Sequence, residues 1–69
     1  MKTISLIIPF FNEEESVESL FNEINRVVSR IDIDINFEFI CVDDGSSDNT
    51  IEKLIFNQMH DQRIKVIEL

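Results

Sequence analysis

Residues 39–50 read Phe39-Ile40-Cys41-Val42-Asp43-Asp44-Gly45-Ser46-Ser47-Asp48-Asn49-Thr50: an apolar run that stops at two adjacent carboxylates, followed by the only glycine of the chain. Phe37 to Val42 is rich in aromatic and β-branched residues, which predicts a strand. Ser47 or Asp48 can cap a following helix, whose inward stripe would be Ile51, Leu54, Ile55 and Met59. Strand, polar turn and helix in immediate succession predict half of a βαβ unit, with the two acids at the carboxyl end of the strand. Neighbouring residues of a strand alternate faces, so Asp43 and Asp44 diverge. One can face a ligand while the other fixes the loop.

Toward the N-terminus, Asp32 to Asn36 is a polar-interrupted connection. Before it, Val17, Leu20, Phe21, Ile24, Val27, Val28 and Ile31 recur at steps of three and four, the apolar stripe of a helix. Asn12 is its candidate N-cap, with Glu15 three residues on in the manner of a capping box. The acids Glu13, Glu14, Glu15 and Glu18 suit the first turns of that helix, and Arg26 and Arg30 its C-terminal end. Ile4-Ser5-Leu6-Ile7-Ile8 predicts a buried strand ended by Pro9. Toward the C-terminus, His60 to Gln62 is a turn. Ile64 to Leu69 alternates apolar and charged residues like a half-exposed edge strand.

The order β-α-β-α-β predicts an α/β fold with a parallel sheet. The first two strands read as buried on both faces and the third as an edge, which gives three parallel strands in spatial order 3-2-1. Both helices then share one face of the sheet. The other face is left bare, and the apolar first strand becomes an open edge. The sequence therefore reads as one unit, residues 1–69, forming the N-terminal part of a larger α/β domain. The isolated chain is expected to self-associate through the exposed face or edge.

The 69 residues are 43% hydrophobic and carry a formal net charge of −8. That hydrophobic share argues for folding, at a size where a single core is barely sufficient. The charge argues against nucleic acid or an anionic membrane as a partner bound through neutralised phosphates. Cys41 is the only cysteine, so no internal disulfide is possible and a reducing, cytoplasmic setting is expected. No apolar run reaches bilayer-spanning length, and no leader pattern is visible.

In an open parallel sheet, ligands bind at the carboxyl ends of the strands. Two such ends carry polar groups: Pro9-Phe10-Phe11-Asn12-Glu13 and Asp43-Asp44-Gly45-Ser46. Parallel strands bring them to one edge. The glycine pattern of a dinucleotide site and the Gly-Lys-Ser/Thr of a P-loop are absent. The acids are adjacent rather than two apart, unlike an Asp-x-Asp phosphotransfer site, and no phosphorelay lysine can be located. A carboxylate can accept hydrogen bonds from the N–H groups of uracil or guanine, and Phe11 can stack on a base. Gly45 lets the backbone approach closely or take positive φ. These features suit a nucleoside better than a phosphate. The same residues also serve as a plain turn and helix entry, with Ser47 and Asp48 as caps, Glu13 to Glu15 as a helix start, and Phe10 and Phe11 as core. Cys41 reads as inert packing, and His60 as a solvated residue or one that satisfies its helix end.

The segments Ile4-Ser5-Leu6-Ile7-Ile8-Pro9-Phe10-Phe11-Asn12-Glu13-Glu14-Glu15 and Val42-Asp43-Asp44-Gly45-Ser46-Ser47-Asp48-Asn49-Thr50, in this order and spacing, closely resemble the two opening signatures of family 2 glycosyltransferases. The resemblance covers essentially the whole chain, as the first part of a Rossmann-like GT-A domain. It is strongest to the polyprenyl-phosphate types, dolichol-phosphate mannose synthase and bactoprenol glucosyltransferase. It implies transfer of a sugar from a nucleotide-diphosphate sugar to an acceptor such as a polyprenyl phosphate, at the cytoplasmic face of a membrane. It implies that Pro9, Phe11 and Glu13 line the nucleoside pocket, that Asp44 binds the base with Asp43 as second candidate, and that Gly45 and Ser46 shape the wall. Phe11 stands where a tyrosine is frequent. The resemblance places the family's Asp-x-Asp motif for a divalent metal, Mg or Mn, beyond Leu69, together with the acceptor site and the catalytic base. The segment alone is therefore expected to be inactive, its negative charge repelling a diphosphate that no metal neutralises. The competing expectation is a non-catalytic binding module built from the same half-domain.

Overall fold

The computed structural model describes residues 2–31 and 34–69. Five elements follow one another: β1 (Lys2–Phe10), α1 (Val17–Val28), β2 (Ile35–Asp43), α2 (Thr50–His60) and β3 (Ile64–Glu68). The strands form one parallel sheet in the order β1-β2-β3, the predicted arrangement counted from the other edge. Of the predicted connection from Asp32 to Asn36, Asp32 and Ile33 lie outside the described residues.

Register explains the core. Ile4, Leu6, Ile8 and Phe10 pair with Phe37, Phe39, Cys41 and Asp43. Phe39, Cys41 and Asp43 pair in turn with Ile64, Val66 and Glu68. Alternation puts these residues on one face of the sheet. Phe10, Phe39, Cys41 and Ile64 from that face join Val17 and Phe21 of α1 and Leu54 of α2 in a single buried cluster. Both helices therefore cover the same face, as expected. The other face carries Ile7, Pro9, Ile40, Val42, Ile67 and Leu69, with no layer over it among the described residues. Ile7 is 70% exposed and Leu69 72% exposed.

Three expectations change. Pro9 does not end the first strand: it pairs with Val42, and β1 runs on to Phe10. The main chain of Lys2 donates to Asp34 and that of Phe10 accepts from Asp44, so these even-numbered residues turn their backbone toward β2. Pro9 then turns its missing N–H to the open edge, where no ladder bond is lost. Second, β1 is not buried on both faces; Phe10 is its one fully buried residue. An edge strand with one covered face cannot bury more. Third, α2 presents Thr50 and Leu54 to the core, while Ile55 and Met59 stay exposed. Its Lys53 Nζ donates to the Glu14 carbonyl in the loop before α1, and its Asn57 Nδ2 donates to Glu18 Oε1 on α1. Those contacts fix the rotation of the helix and leave Ile55 and Met59 past the last strand. On that flank Gln58 Oε1 accepts from the Val66 N–H, covering one backbone donor of the β3 edge.

A second apolar surface opens beside β1. Ile4, Leu6 and Phe37 of the sheet and Ile24, Val27, Val28 and Ile31 of the α1 region line a groove of about 440 Å³. It lies at the opposite end of the sheet from the acids.

Candidate functional site at the carboxyl edge of the sheet

The pair Phe10–Asp43 sets the site. From it the chain leaves β1 through residues 11–16 and leaves β2 through residues 44–49, so both loops rise from neighbouring strands at one edge. The Asp44 N–H donates to the Phe10 carbonyl at 2.9 Å, extending the ladder one residue into the loops.

The two acids separate as the strand alternation requires. Asp43 is 1% exposed, and its Oδ1 accepts from the Ser46 hydroxyl, while Oδ2 is buried with no hydrogen-bond partner among the described residues. Asp44 is exposed. Gly45 has φ +73°, the left-handed region that an L side chain enters at a cost, and a Cβ placed there would meet nothing within 4 Å. The glycine is required by the turn and not by crowding.

On the first loop Phe11 is 57% exposed. Its N–H donates to Glu13 Oε1 at 3.2 Å. Pro9 lies on the bare face of the sheet, so the side chains of Pro9 and Asp43 occupy opposite faces. Glu13 is exposed, and its main-chain N–H donates to Oγ1 of the fully buried Thr50 at 2.8 Å. Asp48 Oδ2 accepts from the Glu14 N–H, and its Oδ1 accepts from the N–H and hydroxyl of Thr50. The Thr50 hydroxyl bond, with these main-chain bonds, holds the Asp48 carboxyl below its ordinary pKa. The cap position of α2 falls on Asn49 and not on Ser47 or Asp48 as expected, but Asp48, one residue ahead, still satisfies the N–H of Thr50, the first residue of the helix.

Asn12 departs from its expected role. The cap position of α1 is Ser16, without a side-chain cap bond, and Asn12 stands four residues earlier with φ +49°. Its Oδ1 accepts from the Ser47 N–H at 2.8 Å, from the Ser47 hydroxyl at 3.3 Å and from the Asp48 N–H at 3.4 Å. Its own N–H donates to Ser46 Oγ at 2.8 Å. The capping box with Glu15 does not form because the asparagine is committed to the other loop. Asn12 and Thr50 are the residues whose part in the site local sequence reasoning missed. The available signal was an asparagine directly after a strand, the non-glycine residue most at home in left-handed backbone.

Glu13, Glu14, Glu15, Asp43, Asp44 and Asp48 gather on this edge, and an open depression of about 480 Å³ is lined by residues 12–16 and Asp48. Among the described residues no group of three or more Asp, Glu, His or Cys side chains is arranged to hold a metal ion. Cys41 is buried beneath the site, and burial pushes its thiol up to about 11. His60 lies at the far end of α2, its Nδ1 2.8 Å from the Phe56 carbonyl and its ring 4.4 Å from that of Phe56. It satisfies its helix end, one of the roles expected of it. No helix among the described residues is long and apolar enough to cross a membrane.

Comparison with known proteins gives this arrangement a context. The family model described as Glycosyl transferase family 2 matches residues 5–69. An uncharacterized glycosyltransferase of Synechocystis sp. is 38% identical over 66 residues, covering 96% of this chain and 20% of the relative. A dolichol-phosphate mannosyltransferase of Pyrococcus furiosus is 42% identical over 50 residues, covering 72% of this chain and 13% of the relative. An undecaprenyl-phosphate 4-deoxy-4-formamido-L-arabinose transferase of Proteus mirabilis is 41% identical over 51 residues, covering 74% and 15%. The chain thus spans a fifth or less of the length of these relatives. A match over residues 5–69 takes in both strand-end segments and every element of the sheet, and the chain belongs to glycosyl transferase family 2.

Proposed function

We propose that residues 1–69 form the nucleoside-binding part of a glycosyltransferase domain whose complete form transfers a sugar from a nucleotide-diphosphate sugar to an acceptor. The observation that carries this reading is the Phe10–Asp43 register. It sets two polar loops side by side, with an exposed aromatic ring on one and a carboxylate pair on the other. Phe11 stacks on the base, and Asp44 accepts from its N–H groups. Asp43 fixes Ser46 and keeps one unused buried acceptor oxygen, which an amide at that position would not cost as much to hold. Gly45 and Ser46 form the wall, and Pro9 and Glu13 close the opposite side. The relatives named for dolichol phosphate and undecaprenyl phosphate support a polyprenyl phosphate as acceptor; the cytoplasmic face of a membrane is the proposed meeting place. A divalent cation, Mg or Mn, would neutralise the leaving diphosphate in the complete enzyme. In this reading the segment's part is recognition, and the segment alone is expected not to transfer sugar.

The test is calorimetric titration of the chain with UDP and with GDP. One of them is expected to bind saturably, with Asp44→Asn and Phe11→Ala each weakening it about tenfold. Binding unaffected by both substitutions, or no binding of either nucleotide, overturns the pocket assignment.

A second reading is favoured by the unpaired β1 edge and the bare sheet face: a module that binds a partner, a second copy of itself in the simplest case. It predicts association without any nucleotide dependence.

A further inference from the structure

We infer that Asn12 is a positioning residue, the staple that holds the two site loops at one spacing, so that it sets nucleotide affinity without touching the nucleotide. The inference rests on the nucleoside-pocket reading for its consequence, but its structural core stands apart from it.

Phe11 and Asp44, the groups proposed to grip the base, lie on different loops and are exposed. Neither is held in place by burial. What holds the loops together is a small set of bonds, and Asn12 takes part in four of them. Its side-chain oxygen receives the Ser47 N–H, the Ser47 hydroxyl and the Asp48 N–H. Its main-chain N–H reaches Ser46 Oγ, whose hydroxyl in turn donates to the buried Asp43 carboxylate. A continuous path of hydrogen bonds therefore runs from the residue after Phe11 to the residue before Asp44. The backbone at φ +49° aims the asparagine for this task. Asparagine tolerates that conformation better than other side-chain-bearing residues.

The bonds also dictate which substitutions preserve the staple. Each recorded bond to the side chain ends on Oδ1, so only an acceptor is needed. Asn12→Asp keeps the acceptor and the tolerance for left-handed backbone. Asn12→Gly keeps the backbone conformation at no steric cost but removes the acceptor. A residue needed only to let the chain turn would be replaced by glycine without loss. A residue needed as an acceptor would not.

The experiment compares the full chain with Asn12→Gly and Asn12→Asp by two readouts. The first is amide hydrogen exchange at Ser47 and Asp48, which requires no ligand. Protection is expected to fall about tenfold in Asn12→Gly, the equivalent of one hydrogen bond, and to be retained in Asn12→Asp. The second is the dissociation constant for UDP or GDP, whichever the unaltered chain binds. It is expected to rise about tenfold in Asn12→Gly and to be restored in Asn12→Asp, while Phe39 and Leu54 amides in the core keep their protection. Equal protection of Ser47 and Asp48 in all three proteins overturns the staple. Lost protection with unchanged nucleotide affinity overturns the positioning role. Failure of the unaltered chain to bind either nucleotide counts against the pocket reading, and the exchange data then decide the staple by themselves.

Discussion

At the scale of single residues, the site is a contrast between groups that are locked and groups that are offered. Asp43, Thr50 and Cys41 are buried, whereas Phe11, Asp44 and Glu13 are exposed at the same edge. Cys41 reports the integrity of the locked layer. Its thiol, pushed up to about 11 from 9.0 by burial, forms about a hundredfold less thiolate near neutral pH than an ordinary one. Alkylation with iodoacetamide at pH 8 is expected to be at least about a hundredfold slower in the folded chain than in urea. Comparable rates would mean that the central strand opens readily. The acid pair and the glycine were legible in the sequence because their chemistry is local: two carboxylates after an apolar run, then a residue free to adopt positive φ. The task of Asn12 was not legible. An asparagine followed three residues later by glutamate has the form of a helix cap, and only a loop more than 30 residues away turns it into a staple.

At the scale of elements, type and order followed from periodicity, while ends and rotations depended on neighbours. The stripe of α1 predicted Val17 and Phe21 as core, and they are. The stripe of α2 included Met59, which is 75% exposed because helix rotation is fixed by Lys53 against the first site loop and Asn57 against α1. Likewise Pro9 ends a central strand but not an edge strand, and strand position is a property of the sheet. The turn from α2 into β3 shows the same dependence. Arg63 makes a two-pronged pair with Asp61, Nε to Oδ1 at 3.0 Å and Nη2 to Oδ2 at 2.7 Å, and also reaches Asn25 of α1 at 2.7 Å. Its guanidinium stands 5.2 Å from the centre of the Phe39 ring. The side-chain bonds from Arg63 hold the Asp61 carboxyl below its ordinary pKa, and the same contact raises that of Arg63. A carboxylate whose pKa is lowered on folding stabilises the fold above the unfolded value, and that contribution is lost as pH falls through the folded value. The thermal midpoint of Asp61→Asn is therefore expected to lie below that of the unaltered chain at pH 7, with the gap closing below about pH 4. A gap independent of pH between 7 and 2 would show that the pair contributes no linked stability.

At the scale of the whole molecule, the sheet is finished on one face and open on the other. Ile7, Ile67 and Leu69 are exposed on the bare face, and Val27 and Ile31 are exposed separately, in the groove on the helix side of β1. Single exposed apolar residues are ordinary, but an apolar face beside a strand edge with no partner among the described residues favours association. Sedimentation velocity of the 69-residue chain is expected to show concentration-dependent association, reduced by Ile7→Lys on the bare face. A monodisperse monomer across micromolar to millimolar concentrations would overturn this. The carboxyl edge has a different consequence. With Glu13, Glu14, Glu15, Asp43, Asp44 and Asp48 gathered there, an incoming diphosphate enters a field of its own sign. Proteins that grip polyphosphates with lysine and arginine release counterions on binding and lose affinity as salt rises. For the proposed nucleotide the balance would reverse: cations would have to be taken up as the anion enters. If the proposed pocket takes a nucleotide, added salt, by shortening the Debye length, is expected to favour it while leaving the uncharged nucleoside almost indifferent.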